Sequence, residues 1–314
     1  MTRHSQPARQ MGRRGGGTGR RVRQPRAYMT IKGATMETVI SHDGTPIAFD
    51  RIGSGPAVVL VGGAFSYRRF PKTVELARRL ADRFTVINYD RRGRGDSGNA
   101  DGYAVEHEFE DLAALIEAAG GSASLWGWSS GAVLALRAAA AGLPVERLAV
   151  YEPPAIVGEH PAPPADFAQR LHAHLAAGDR SGAVMYYMTA GIGAPAFFVN
   201  LMRPLPIWGR LKAVAHTLPY DWAVLGELMS GKPLERRPWA QVSAPTLVMA
   251  GAKSPALLRD AAAAIALQLP RGELRTLAGQ GHNPAMKVQA PVVADFLGGA
   301  VSTAQPIARV AAAG

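Results

Sequence analysis

Short runs of consecutive apolar residues recur along this chain, and amphipathic stretches separate them. Ala57–Val61 has no alternating polar positions, which is typical of a strand buried on both faces of a parallel sheet. Further strands of this kind are predicted at 84–89, 123–126, 148–151, 246–250 and 274–277. Apolar residues at helical spacing predict helices at 74–81, 105–116, 132–141, 261–269 and 292–297. Strands and helices therefore alternate, which predicts an α/β fold with a mostly parallel, doubly wound sheet.

A predicted β-hairpin precedes the α/β pattern, and one long segment interrupts it. Extended stretches on both sides of the turn-forming cluster at 42–44 predict the hairpin. Between 156 and 239 the alternation stops, and helical stretches are broken by prolines and glycines, so this segment is predicted to be a helical cap. The core of the fold is then predicted to comprise residues 36–155 and 240–299.

The predicted cap is rich in methionine and aromatic residues. One interpretation is that these side chains form only the core of a small helical unit. Laid over the carboxyl edge of the sheet, some of them would also line an apolar ligand pocket. Tyr187 and Trp208 of the cap, together with Phe65 and Trp128 of the core, are the candidate substrate-binding residues.

Most of the positive charge lies at the start of the chain. Of the net charge of +11, residues 1–35 carry nine positive charges and no Asp or Glu, which leaves +2 for the rest. This segment lacks apolar periodicity and is predicted to be a disordered arm. The arm is open to weak contacts with nucleic acid, whereas none are expected for the nearly neutral body. Met29 and Met36 leave open a later start of translation, and residues 300–314 are predicted to be a loose tail.

Composition excludes several classes of protein. With 314 residues, 47% of them hydrophobic, the chain can bury one large core, as a single domain or a domain with an insertion. No apolar run approaches the roughly 18 residues of a transmembrane helix, so no membrane span is predicted. The absence of cysteine excludes disulfides, thiolate zinc sites and a cysteine nucleophile. Paired arginines in the arm suggest twin-arginine export, but no apolar segment follows them, so a cytoplasmic location is expected.

The sequence Gly-Trp-Ser-Ser-Gly at 127–131 stands between a predicted strand and a predicted helix. A serine on such a turn needs small flanking residues, because the turn brings the helix backbone close to the strand. The free N–H groups at the start of the helix stabilise negative charge that develops at the same place. Ser129 is therefore the candidate nucleophile, and the N–H of Ser130 is a candidate oxyanion donor. The alternative is an ordinary glycine turn, because the pattern also occurs by chance.

A serine nucleophile needs a base to take its proton, and the base works best when a carboxylate orients it. Of the eight histidines, His282 lies in a loop just past a late strand, where it can face the same sheet edge as Ser129. The other seven lie in the arm, the hairpin turn, an early helix and the cap. His282 is therefore the predicted general base. No cofactor and no metal are predicted.

Several motifs together resemble the α/β-hydrolase superfamily. They are the strand ending in Gly62-Gly63, YDRRGRGDSG at 89–98, GWSSG at 127–131 and GQGHNP at 279–284. They occur in the order and element context of that family over roughly residues 36–299, with the helical insertion in the place of the family's cap. The resemblance implies an eight-stranded, mostly parallel sheet, with Ser129 as the nucleophile and His282 as the base.

This chain departs from the family at the predicted oxyanion loop. Gly62-Gly63 replaces the His-Gly of many members, which makes Ala64 the residue whose N–H would join that of Ser130. In the following arginine-rich loop, the three arginines and Asp96 are expected to pair with one another and hold the loop.

The family's usual acid is missing. Its aspartate follows the strand at 246–250 in a Gly-x-x-Asp turn, and here Ser254 takes that place. Glu152 ends the preceding strand and is the predicted substitute, since some members place their acid there and a buried carboxylate would gain a partner in the imidazole of His282. The alternatives are that Glu152 only accepts backbone N–H groups, or that Asp90 is the acid.

These residues predict a cofactor-independent serine hydrolase that cleaves an ester, thioester or amide bond of an apolar small molecule. Ser129 would attack, His282 would transfer the proton, and Glu152 would orient His282. A perhydrolase or a carbon–carbon bond hydrolase would use the same triad, whereas an epoxide or haloalkane hydrolase of this fold would need a carboxylate nucleophile. The alternative from another class is a non-catalytic small-molecule-binding protein on the same scaffold, with the missing aspartate as its sign.

Overall fold

The computed structural model describes residue 1 and residues 33–299, so nearly all of the predicted arm (1–35) and the whole predicted tail (300–314) lie outside the described residues. The strands are β1 (Thr35–Ile40), β2 (Pro46–Ile52), β3 (Ala57–Val61), β4 (Thr85–Tyr89), β5 (Ala123–Trp128), β6 (Val145–Tyr151), β7 (Thr246–Gly251) and β8 (Gly272–Leu277). They form one sheet of eight strands in the order β1-β2-β4-β3-β5-β6-β7-β8. The pairs β1–β2 and β2–β4 are antiparallel, and all other neighbours are parallel. The predicted fold class is confirmed.

Helices cover both faces of the sheet and also fill the long interval between β6 and β7. They are α1 (Pro71–Leu80), α2 (Val105–Ala118), α3 (Ser130–Ala140), α4 (Phe167–Ala176), α5 (Arg180–Tyr186), α6 (Ala196–Met202), α7 (Pro206–Ala213), α8 (Leu218–Leu225), α9 (Arg236–Trp239), α10 (Ala256–Gln268) and α11 (Met286–Leu297). The last helix begins earlier than predicted and contains Pro291. Proline inside a helix removes a backbone hydrogen bond, which is why the periodic pattern alone showed only the part after it.

The apolar strands are unbroken because the two faces of the sheet are both buried. In β3, Val59 and Val61 belong to the apolar cluster that includes side chains of α2, α3 and α10. Val58 and Leu60 belong to the cluster that includes side chains of α1 and α11. Successive side chains of a strand point to opposite faces, so a strand covered on both sides has no position left for a polar residue.

The segment 156–239, called the helical insertion below, has a core of its own. Phe167, Tyr187 and Trp208 are buried in this third cluster, and Phe65 from the loop after β3 packs against it. The ring of Tyr220 in the insertion stacks on that of Tyr103, just before α2, and the two ring centroids are 4.0 Å apart. The insertion therefore contacts loops that follow the carboxyl ends of the central strands.

Close backbone packing explains the glycine that ends the GWSSG motif. A Cβ added at Gly131 would lie 2.3 Å from Val61 O and 2.5 Å from Gly62 O. We expect Gly131→Ala to lower the free energy of unfolding by about 1–3 kcal/mol, because α3 and β3 would have to move apart. Gly209→Ala is the matched control, since nothing lies within 4 Å of an added Cβ there. Its stability in urea unfolding should equal that of the wild type or exceed it by up to about 1 kcal/mol. Equal stability of the two variants would contradict the packing argument.

Candidate active site

Unusual backbone geometry marks three positions at one edge of the sheet. Within residues 33–299, the residues other than glycine with positive φ are Phe65 (63°), Ser129 (56°) and Glu152 (48°). They follow β3, β5 and β6, which are neighbours in the sheet. Such conformations cost free energy and concentrate at functional sites, where the surrounding structure holds them in place. The three parallel strands therefore deliver three strained residues to the same edge.

Ser129 occupies a sharp turn between β5 and α3. Its φ and ψ are 56° and −126°, and its N–H donates to Tyr151 O at 3.0 Å. The side chain is half-buried, so it is accessible to a small ligand. This is the conformation that a nucleophile on a strand-to-helix turn requires, because it lifts the side chain out of the sheet.

His282 and Glu152 form a hydrogen-bonded pair although 130 positions separate them. His282 Nδ1 lies 2.6 Å from Glu152 Oε2, and the Glu152 side chain has no exposure to solvent. The His282 side chain is 39% exposed. Because Nδ1 is engaged with the carboxylate, Nε2 is the ring nitrogen left to face a reacting group. In this arrangement the carboxylate selects the tautomer and orients the ring.

Two more donors hold the other oxygen of Glu152. Its Oε1 accepts the N–H of Gly251 at 2.7 Å and a short hydrogen bond from the hydroxyl of Ser254. Ser254 stands at the position where the resemblance places an aspartate, and its hydroxyl donates to Glu152. Burial by itself raises the pKa of Glu152, but the hydrogen bonds from His282, Ser254 and Gly251 hold it below its ordinary value.

The lowered pKa of Glu152 predicts a stability difference that depends on pH. A carboxylate with a depressed folded-state pKa stabilises the fold above its ordinary value of 4.5, and this contribution is lost as the pH falls through the lower folded value. We expect Glu152→Gln to lower the Tm at pH 7 and the difference from the wild type to shrink below about pH 4.5. Thermal unfolding across this range measures it, with the exposed Glu159→Gln as control. A constant difference at every pH would contradict the prediction.

The loop after β3 runs directly beside the nucleophile. A Cβ added at Gly63 would lie 3.1 Å from the Cβ of Ser129 and 2.6 Å from Trp128 O. Within residues 33–299, the N–H groups of Ala64 and Ser130 have no hydrogen-bond partner. Two free donors next to a half-buried serine are the feature that an oxyanion hole needs.

The loop that contains His282 is fastened at two carbonyl groups. Trp128 Nε1 donates to His282 O at 3.1 Å, and the Tyr151 hydroxyl donates to Gly281 O at 2.6 Å. The Trp128 ring centroid lies 6.0 Å from that of His282. Residues at the ends of β5 and β6 therefore fix the position of the imidazole.

The candidate substrate-binding residues fall into two groups. Phe65 and Tyr187 are in edge-to-face contact, with ring centroids 5.7 Å apart, and Trp128 lies against His282. Trp208 is buried on α7, donates to the hydroxyl of Ser181 at 3.0 Å and borders an open depression that charged side chains also line. The structure thus brings Phe65 and Tyr187 into contact, places Trp128 beside His282 and gives Trp208 different surroundings.

The expectation that the residues of the arginine-rich loop pair with one another is wrong. Arg91 pairs with Glu108 and Asp221, Arg92 with Asp111 and Asp43, Arg94 with Asp221, and Asp96 with Arg68 and Arg69. Arg91 and Arg94 share Asp221, and Arg92 reaches other carboxylates, because buried positive charges need acidic partners and the loop itself supplies too few. Asp90, the alternative acid, accepts instead from the N–H groups of Arg68 and Asp96.

Two residues that bind the predicted site residues, Ser254 and Asp221, are not predicted from the sequence. Ser254 donates to Glu152. Asp221 accepts a hydrogen bond from the hydroxyl of Ser130 at 2.7 Å. A signal for it was present, because Asp221 is the one carboxylate between Asp179 and Glu227 and it stands within an apolar helix.

Neither a metal site nor a membrane span is found in the described part of the chain. Among residues 33–299, no group of three or more His, Asp or Glu side chains is placed to hold a metal ion. No helix in the same range combines the length and the apolar character needed to cross a membrane.

A strained serine between a strand and a helix, beside a paired histidine and glutamate on a mostly parallel sheet, is the arrangement of an α/β hydrolase. The model of the alpha/beta hydrolase family matches residues 58–295. An alpha/beta hydrolase from Sphaerobacter thermophilus DSM 20745 is 53% identical with a TM-score of 0.78, and the comparison covers 83% of this chain and 99% of that one. This chain belongs to the alpha/beta hydrolase family and is an enzyme of that type.

Two further comparisons are more distant. A hydrolase from Pseudomonas aeruginosa PA01 is similar in fold, with a TM-score of 0.66, 24% identity and coverage of 84% of this chain and 98% of that one. The Bacillus subtilis (strain 168) protein named uncharacterized hydrolase YraK is 36% identical over 113 residues. That match spans 34% of this chain and 39% of YraK, so it concerns only part of either protein.

Proposed function

We propose that this enzyme is a cofactor-independent serine hydrolase that cleaves an ester, thioester or amide bond of an apolar small molecule. The observation that carries the proposal is the 2.6 Å hydrogen bond between His282 Nδ1 and Glu152 Oε2 beside the strained Ser129. The missing aspartate would favour a non-catalytic binding protein. Glu152 offsets that argument, because it supplies a buried and hydrogen-bonded carboxylate at the position where the imidazole needs one.

In the proposed reaction, Ser129 Oγ attacks the carbonyl carbon while His282 Nε2 accepts the hydroxyl proton. The imidazolium that forms is stabilised by Glu152, which stays ionised because its pKa is lowered. The oxyanion of the tetrahedral intermediate is held by the N–H groups of Ala64 and Ser130. His282 then gives the proton to the leaving group, which departs and leaves Ser129 acylated. Water, deprotonated by His282, attacks the acyl-enzyme in the same way and releases the acid and free Ser129.

The proposed substrate is apolar because of the side chains next to the nucleophile. Ala64 and Phe65 pack against the apolar cluster of the helical insertion, which includes Tyr187. In the proposal this insertion is a cap over the site, and Phe65, Trp128 and Tyr187 contact the acyl or leaving group. A series of p-nitrophenyl esters of increasing chain length tests this, and kcat/KM should rise from acetyl toward longer or bulkier acyl groups. The highest value for acetate would contradict the apolar site.

A fluorophosphonate probe tests the nucleophile. We expect the wild type to be labelled at Ser129, which mass spectrometry of peptides locates, and the Ser129→Ala variant to remain unlabelled. Ser122→Ala is the control, because Ser122 is exposed and bonds to Glu146 at 2.6 Å. Binding of apolar ligands without any labelling would support the non-catalytic binding protein instead. Peracid formation, or cleavage of a carbon–carbon bond, would assign one of the related reactions of the same triad.

The proposed function also concerns the partners and the location of the chain. An apolar small molecule is the proposed substrate, a cytoplasmic location is proposed, and weak nucleic-acid contacts are confined to the arm. Retardation of DNA that persists after deletion of residues 1–35 would contradict the last point.

A further inference from the structure

The helical insertion contributes one buried carboxylate to the neighbourhood of the nucleophile turn. Asp221 lies on α8 and is 0% exposed. Its Oδ1 accepts the Ser130 hydroxyl at 2.7 Å and Arg91 Nη1 at 2.6 Å, and its Oδ2 accepts Arg94 Nη2 at 2.5 Å. Every contact of this carboxylate group is therefore made with residues of the core, across the boundary between the insertion and the sheet.

Arg94 links Asp221 to the loop that carries the first proposed oxyanion donor, the N–H of Ala64. Arg94 Nη1 donates to Gly63 O at 2.8 Å, and Arg94 Nε donates to Thr217 Oγ1 at 3.0 Å. The carbonyl of Gly63 and the N–H of Ala64 belong to one planar trans peptide, so they point in opposite directions. The same carbonyl oxygen also accepts the hydroxyl and the N–H of Ser66, at 2.6 Å and 3.2 Å, so Arg94 and Ser66 together fix the direction of the Ala64 N–H. The charge of Arg94 also polarises the peptide and makes that N–H a stronger donor.

Ser130, whose N–H is the second proposed oxyanion donor, binds Asp221 directly. Ser130 is the first residue of α3, where the N–H groups have no partner within the helix. Its hydroxyl bond to Asp221 holds the side chain of the residue that carries this N–H. One carboxylate of the insertion is thus linked to both donors, to Ala64 through Arg94 and Gly63, and to Ser130 directly.

The charges of this cluster balance. Arg91 also binds Glu108 through two hydrogen bonds of 2.6 Å and 2.5 Å, so two arginines face two carboxylates in a buried site. Burial raises the pKa of Asp221, but Arg94, Arg91 and the Ser130 hydroxyl hold it below its ordinary value. Asp221 is therefore ionised at neutral pH. Removing it leaves a guanidinium next to the oxyanion loop without its counter-charge.

We propose that Asp221 is a positioning residue for the oxyanion hole, so that both oxyanion donors take up their working geometry only when the helical insertion is seated on the core. The proposal rests on the proposed function, since it assigns a role to that same site. It makes the insertion part of the catalytic machinery in addition to a wall of the substrate site.

The test compares Asp221→Asn with the wild type as the full chain. We expect kcat for a p-nitrophenyl ester to fall about 10²-fold, with KM changed less than about threefold, because oxyanion donors act in the transition state. The affinity for a boronic acid that forms a tetrahedral adduct with serine should fall in parallel with kcat. The affinity for the product acid should stay within about threefold, since the product carries no tetrahedral oxyanion.

Asp111→Asn is the matched control. Asp111 is 1% exposed and pairs with Arg92 of the same loop, but it contacts neither Gly63 nor Ser130. We expect it to lower the Tm as Asp221→Asn does while kcat stays within about threefold of the wild type. Equal kcat losses in the two variants, or an unchanged kcat in Asp221→Asn, would overturn the proposal and leave Asp221 a structural residue only.

A second variant and a second measurement cover the case in which Asp221→Asn does not fold. Ser130→Ala removes only the hydroxyl bond to Asp221 and keeps both N–H donors, and kcat should fall about tenfold. The amide NMR signal of Ala64, which neither substitution changes, should shift in Ser130→Ala and stay in place in Asp111→Asn. An unmoved Ala64 signal in Ser130→Ala would overturn the proposal even if the wild type hydrolysed no ester. A moved Ala64 signal in a protein whose wild type is inactive and unlabelled would count only against the proposed function.

Discussion

Ser129→Ala and His282→Ala should each lower kcat for hydrolysis of an activated ester by about 10⁶-fold, and the double variant should lose no more than either single one. In the proposed mechanism the two side chains act as one unit, since an alcohol is a poor nucleophile without a base and the base has no proton to accept without the alcohol. The residual rate should still exceed that in water by about 10³-fold, because the oxyanion donors and the binding site remain.

Single-turnover kinetics with an excess of enzyme measures these losses, and circular dichroism checks that the variants are folded. His160→Ala is the control for His282, because His160 also pairs with a carboxylate, Asp260, at 2.8 Å but lies in the helical insertion. We expect it to keep the wild-type rate. Independent, multiplicative losses for Ser129→Ala and His282→Ala would show that the two residues do not act together.

Glu152→Gln should lower kcat by about 10⁴-fold. The amide of glutamine can present its NH₂ group to His282 Nδ1, and this favours the tautomer whose proton is on Nε2. That tautomer cannot accept the proton of Ser129, and no carboxylate is left to stabilise an imidazolium. The buried position makes the change severe, because Glu152 has no exposure and water cannot replace the lost charge.

Two matched variants separate the charge of Glu152 from its surroundings. Ser254→Ala removes one donor to Glu152 while the Gly251 N–H remains, so kcat should stay within about tenfold of the wild type. Asp260→Asn changes the first carboxylate that follows the family's usual acid position, and kcat should not change, since this side chain is exposed and binds His160. A large loss of kcat in Asp260→Asn, together with an active Glu152→Gln variant, would show that Glu152 is not the acid of the triad.

The fold was predictable because its strongest signals are local. The unbroken apolar run in β3 follows from burial on both faces. The glycines around Ser129 follow from close backbone packing, since an added Cβ would lie 2.6 Å from a backbone atom at Gly127 and 2.3 Å from one at Gly131. Such requirements act on a residue and its near neighbours, so they are visible along the chain. The same holds for the placement of His282 in a loop after β8.

Pairings between distant residues were less predictable, and the arginine-rich loop shows why. Its charges were expected to satisfy one another because they are adjacent in sequence, but each arginine reaches a carboxylate on another element. Asp221 lies 127 positions after Arg94, its partner. Nothing in the spacing of either residue indicates the other.

By itself, the sequence determined the class of fold, the turn that carries Ser129 and the loop that carries His282, since each depends on periodicity, glycine sterics or element order. Only the tertiary structure decided that Glu152 meets the imidazole, that Ser254 supports it and that Asp221 reaches Ser130 from the helical insertion. The physical reason is that a buried charge takes the partner that the packed strands and helices bring within hydrogen-bond distance, and the order of residues along the chain does not encode that distance.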